Sequence, residues 1–130
     1  MNHELGLSNL RIGQGVYIGP DVLLDLAGPL LIGDRSTISA RCVLLTHHDP
    51  GASQGNSLAQ HFPPSAGGCE VGMDCWIGAG AILLEGAELG AQSVVGAGAL
   101  VRSKLPGGFV YAGSPARAIR RVGAKQVREP

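Results

Sequence analysis

From Ile12 onward the chain falls into sixes that begin with an aliphatic residue, usually followed by glycine. The first block reads IGQGVY and IGPDVL, then, after a short interruption, IGDRST, ISARCV and LLTHHD. The second runs VGMDCW, IGAGAI, LLEGAE, LGAQSV, VGAGAL and VRSKLP. The fifth position is small or short: Val16, Val22, Ser36, Cys42, Cys75, Ala81, Ala87, Ser93 and Ala99. A period of six matches neither a 3.6-residue helix nor the alternation of a sandwich strand. It matches a short strand and a turn, with one large and one small side chain pointing inward each time. Three such strands close a triangular coil of about 18 residues, and stacked coils bury one narrow core. The expectation is about four coils, with glycine at the second position supplying turn conformations that a side chain forbids.

Composition agrees with a narrow core. Of 130 residues 21 are Gly, and aromatics are only 4%, so there is little to fill a wide interior. Zero net charge with 45% hydrophobic residues argues against disorder, glycine does not recur every third residue as in collagen, and no apolar run approaches a membrane span. The three cysteines, Cys42, Cys69 and Cys75, have no CxxC spacing and imply neither a disulfide framework nor a zinc knuckle. The start, MNHELGLSNL, lacks a basic region and a long apolar run. The expectation is therefore a cytoplasmic protein without a secretory signal.

The neutral sum hides an asymmetry. From Arg102 onward lie Arg102, Lys104, Arg117, Arg120, Arg121, Lys125 and Arg128 against the single acid Glu129. The preceding residues carry the opposite balance, so an anionic ligand is expected at the C-terminal end. The repeats occupy residues 8–48 and 69–114, within one domain spanning 1–130. Between them, residues 49–68 (DPGASQGNSLAQHFPPSAGG) break the register and read as an extruded loop. Residues 115–128 read as a short basic helix: Pro115 can open it, and Ala116, Ile119 and Val122 form an apolar stripe.

The histidine pair His47 and His48 sits where the loop leaves the coil, in VLLTHHDP. Imidazoles placed there reach a cleft, and histidine is the usual general base near neutral pH. Loop capping is the plainer alternative for either ring.

The sixes resemble the hexapeptide repeat of left-handed parallel β-helix proteins, over roughly Ile12 to Arg121. The segment VLLDLAGPLLIGDRSTISARCVLLTHHDP is similar to sugar O-acetyltransferases of the maltose/nodulation and colanic-acid type. WIGAGAILLEGAELGAQSVVGAGALVRSKLPGGFVYAGSPARAIR is similar to their coenzyme-A-binding half. The resemblance implies an all-β, left-handed fold, a homotrimer with active sites at subunit interfaces, and acetyl-CoA as acyl donor. It also implies a sugar or glycan acceptor and a catalytic histidine used in a ternary complex. Thr46-His47 matches one family pattern and His48-Asp49 part of another; His47 is preferred as base.

On the same resemblance Ala79, Ala97, Arg102, Ser103, Arg117 and Arg120 are positions for the coenzyme, the arginines suiting its phosphates. Asp25 matches a residue facing the acceptor, where its carboxylate accepts hydroxyl hydrogen bonds or caps its turn. Trp76 serves packing or the ligand. The chain does not show the N-terminal helical segment of maltose-type enzymes, which favours a polysaccharide precursor or another glycan. No metal, nucleic acid or membrane span is expected. A noncatalytic scaffold and a γ-class carbonic anhydrase share the fold; the second needs three zinc histidines, a spacing that His47, His48 and His61 do not reproduce.

Overall fold

The computed structural model describes residues 7–124. Each six becomes a strand of two or three residues followed by a corner, and every third strand pairs in parallel with the one above it. Sheet A contains β1 (Leu10–Ile12), β4 (Leu30–Ile32), β7 (Cys69–Val71), β10 (Glu88–Leu89) and β13 (Lys104–Leu105). Sheet B contains β2 (Tyr17–Ile18), β5 (Thr37–Ile38), β8 (Trp76–Ile77), β11 (Val94–Val95), β14 (Phe109–Ala112) and β15 (Arg117–Arg121). Sheet C contains β3 (Leu23–Leu24), β6 (Val43–Leu44), β9 (Ile82–Leu83) and β12 (Leu100–Val101). The result is a three-sided parallel β-helix of four full coils and a partial fifth, one partial coil more than expected.

Side-chain direction follows from the strand alternation. First-position residues Ile32, Ile38, Leu44, Val71, Ile77, Leu83, Leu89, Val95 and Val101 are buried, with the fifth-position Cys42, Cys75, Ala81, Ala87 and Ala99 between them. Burying each large aliphatic contributes about 1.5–3 kcal/mol. Ser36 and Ser93 are also wholly buried, and their hydroxyls donate to the Gly72 and Gly90 carbonyls at 2.7 Å each. Among the described residues the first coil has a neighbouring coil on one side only, and Ile12 is 44% exposed.

The glycines act differently from the expectation. None of the second-position glycines has a positive φ. A Cβ on Gly78 would lie 2.6 Å from the Ala97 nitrogen and 2.8 Å from the Val95 carbonyl, so this glycine permits coil-to-coil approach. The left-handed conformation falls on the fourth position: Gly80 and Gly98 at φ +71°, and Asp21, Arg35, Arg41, Asp74 and Gln92 between +57° and +61°.

Residues after β6 leave the coil, form two 3₁₀ turns (Pro50–Ala52 and Ser57–Gln60) and return at Ser65, which pairs with His48 through mutual backbone hydrogen bonds of 2.8 and 3.0 Å. The helix expected over 115–128 is not formed where the chain is described. Beyond a turn at Gly113–Ala116, strand β15 runs antiparallel to β14, with Ala112 opposite Arg117 and Phe109 opposite Arg121. Pairing satisfies the edge backbone of β14, and Ile119, at 62% exposure, has no core to face. Residues 125–128 of that expected helix lie outside the described residues. Among the described residues no helix is long and apolar enough to cross a membrane.

Candidate active site

The corner between sheets C and A carries most of the polar side chains the sequence singled out. Leu24 pairs with Leu44 across adjacent coils, so Asp25 and the segment Thr46–His47 leave their strands side by side. His47 Nδ1 lies 2.5 Å from Asp25 Oδ2. That carboxylate also accepts hydrogen bonds from the Thr46 amide at 2.8 Å and the Ala27 amide at 3.0 Å, with the Thr46 hydroxyl 3.0 Å away. Thr46 is wholly buried, and its hydroxyl accepts from the Gly28 amide at 2.8 Å. Burial pushes the Asp25 carboxyl up, but these donors outweigh it and bring it down to about 2. An ionised carboxylate only accepts, so His47 Nδ1 carries a proton and, in the neutral ring, Nε2 keeps its lone pair.

His48 makes a second pair of the same kind. Its Nδ1 is 2.6 Å from Glu85 Oε1, while Glu85 Oε2 accepts from the Ser65 hydroxyl and the Gly67 amide at 2.5 Å each. The Ser65 and Gly67 donors, with a smaller contribution from His48, hold Glu85 below the usual carboxylate range against the effect of burial. Both rings line one pocket of about 290 Å³, with Ala27, Asp49, Pro64, Ser65 and Ala66. Glu85 and Ser65 carry no distinguishing signal in the sequence. Glu85 reads as an ordinary third residue of LLEGAE, and its partners lie far away along the chain.

The remaining candidates divide into two groups. Arg102 and Ser103 occupy the same C-to-A corner two coils further on, and line a second cavity of about 430 Å³ with Arg117, Leu105, Phe109, Tyr111 and Pro115. Arg120 sits on β15 opposite Val110 and does not line that cavity. Ala79 and Ala97 stack on the corner between sheets B and C, joined by the Gly98 amide donating to the Ala79 carbonyl at 2.9 Å. Sheet C therefore separates them from His47 within one chain. Trp76 is 57% exposed on the outer face of sheet B, its indole N–H donating to Ser39 Oγ at 3.2 Å. His61 follows the second 3₁₀ turn and is not part of the pocket. Among the described residues no group of three His, Cys, Asp or Glu side chains is placed to hold a metal ion.

A family model, bacterial transferase hexapeptide (six repeats), matches residues 68–103. Residues 68–103 thus carry the repeat that this model describes. The chain is 34% identical over 111 residues to a putative colanic acid biosynthesis acetyltransferase of Escherichia coli, covering 85% of this chain and 58% of that protein. A maltose O-acetyltransferase from Clostridium difficile superposes with TM-score 0.74 and 27% identity, over 87% of this chain and 59% of that one. A hexapeptide-repeat acetyltransferase from Vibrio cholerae, crystallised with acetyl coenzyme A, gives TM-score 0.74 and 30% identity, over 86% and 60%. The chain thus spans rather more than half the length of these relatives.

Proposed function

We propose that this protein transfers an acetyl group from acetyl-CoA to a hydroxyl of a sugar or polysaccharide precursor. The observation that carries the reading is the His47–Asp25 pair opening onto the 290 Å³ pocket. A sugar hydroxyl is a weak nucleophile until its proton is removed as it attacks. His47 Nε2 takes that proton while the oxygen attacks the thioester carbonyl, and the ionised Asp25 stabilises the resulting imidazolium. When the C–S bond breaks, His47 returns the proton to the departing thiolate. Direct transfer in a ternary complex needs no covalent enzyme intermediate. Such a base contributes about 10²–10⁴-fold, and a backbone N–H of a glycine-rich corner supplies the donor for the oxyanion.

The coenzyme's phosphates suit Arg102, Arg117 and Arg120, with Ser103 beside them, because guanidinium forks pair with phosphate oxygens. Its thin pantetheine arm suits the ridge of small residues at Ala79 and Ala97. Ridge and base lie on different corners, so the reading includes a homotrimer in which one copy's ridge faces another's His47. The outer faces favour this: sheet C presents Leu23, Val43, Ile82 and Leu100, and sheet B presents Tyr17, Thr37, Trp76, Val94 and Val110. Sheet A instead presents Arg11, Leu31, Glu70, Glu88 and Lys104. The test is thiol release from acetyl-CoA on adding a panel of sugars and nucleotide sugars. At least one acceptor should give release above the hydrolysis background; none doing so overturns the reading.

A further inference from the structure

Two imidazoles line one small pocket, and a single proton transfer uses only one of them. His48, like His47, is held by a carboxylate, and this one is fixed in turn by two further donors, the Ser65 hydroxyl and the Gly67 amide. The Glu85 side chain is only 13% exposed, and a Cβ on Gly67 would stand 3.0 Å from Glu85 Oε2, so the loop's return is shaped around this carboxylate. Neighbouring ties hold the same segment, with the Gly68 amide donating to the Thr46 carbonyl at 3.0 Å and the Gly86 amide to the Gly68 carbonyl at 2.8 Å. Because Glu85 only accepts, His48 Nδ1 carries a proton and the neutral ring's Nε2 is left as an acceptor. The His48 side chain is 53% exposed, on the pocket lining.

We infer that His48 is an acceptor-binding residue, its Nε2 accepting a hydrogen bond from a hydroxyl other than the one acetylated, and that Glu85 is its positioning residue. The inference rests on the acetyltransferase reading and adds a substrate class: the acceptor is a polyol, carrying at least two hydroxyls within reach of the two rings. A site that hydrogen-bonds a substrate hydroxyl discriminates against the analogue lacking it, because its polar group is then left unpaired. His47 and Asp25 share no hydrogen bond with Glu85, so the two pairs are separable by mutation.

The experiment compares the wild-type protein, His48→Ala and Glu85→Gln with acetyl-CoA, using the best hexose of the acceptor panel and its series of monodeoxy analogues. Unchanged melting temperature serves as the folding control. His48→Ala should raise the acceptor KM about tenfold, with kcat within about threefold and the acetyl-CoA KM unchanged. Glu85→Gln should raise the acceptor KM in the same direction. One monodeoxy analogue should show the same penalty with the wild-type protein and no added penalty with His48→Ala. Loss of kcat at unchanged acceptor KM would make His48 the base and overturn the inference. Full activity of His48→Ala, or additive penalties for every analogue, would overturn it as well. Failure of the wild-type protein to acetylate any sugar or nucleotide sugar of the panel instead overturns the acetyltransferase reading, and this inference with it. If Glu85→Gln melts early, Glu85→Asp, which keeps the charge, should recover part of the KM.

Discussion

Asp25 and His47 are 22 residues apart, one coil of the β-helix, and their meeting is half-legible in the repeat pattern alone. Both follow the third strand of consecutive coils, in LLD and in VLLTHH, so stacking the sixes makes them neighbours. What stacking does not give is direction. The carboxylate, expected either to meet the acceptor or to cap its turn, takes the Ala27 amide and the His47 ring. Asp25→Asn should therefore lower kcat by about 10²-fold, because an amide that donates to Nδ1 favours the wrong tautomer. Its effect on stability has a definite sign. The folded carboxyl titrates near 2 against 3.8 for an unperturbed one, so the ionised form contributes on the order of 2 kcal/mol above about pH 4. That contribution fades as pH falls from 4 towards 2. Thermal melts should show Asp25→Asn less stable than wild type at pH 6, with the gap closing towards pH 2. The Glu85 cluster is not legible in the same way, because the segment carrying Ser65 and Gly67 has no repeat register to place it.

At the scale of the coil, the repeat announces its strands clearly, since an aliphatic at every sixth residue has few other uses. It is less informative about its glycines. The same dipeptide pattern serves turn geometry or close approach, and only the stacking distance decides. Gly78→Ala puts a methyl against the backbone of the next coil and should cost about 2 kcal/mol or more. Gly80 has φ +71° and open space around it, and Asp or Asn tolerates that conformation best. Gly80→Asn should stay within about 1 kcal/mol of wild type. Urea denaturation of the two variants measures this contrast; equal losses would contradict it. The C-terminal hairpin escapes the sequence pattern for a related reason. Ala116, Ile119 and Val122 have the spacing of a helical stripe, but a stripe needs a surface to bury against. The open backbone of β14 offers the segment a pairing partner instead.

For the molecule as a whole, the division of outer faces matters more than net charge. Among the described residues Arg102 and Arg117 flank the same cavity, and Arg120 and Arg121 share strand β15 with Arg117. Sheets B and C present apolar ladders, whereas sheet A pairs Lys104 with Glu88 at 3.3 Å. Ile82, 38% exposed in sheet C, and Leu31, equally exposed in sheet A, make a matched pair for testing assembly. On the proposed trimer, Ile82→Lys should shift sedimentation towards monomer and abolish transfer, while Leu31→Lys should leave both unchanged. Within the proposed trimer, everything turns on what His47 does. Acetyl-CoA affinity by calorimetry, set beside acceptor-dependent thiol release for His47→Ala, is the direct measurement. Release should fall by about 10²–10⁴-fold with acetyl-CoA binding unchanged. Full release by His47→Ala would contradict the general-base role.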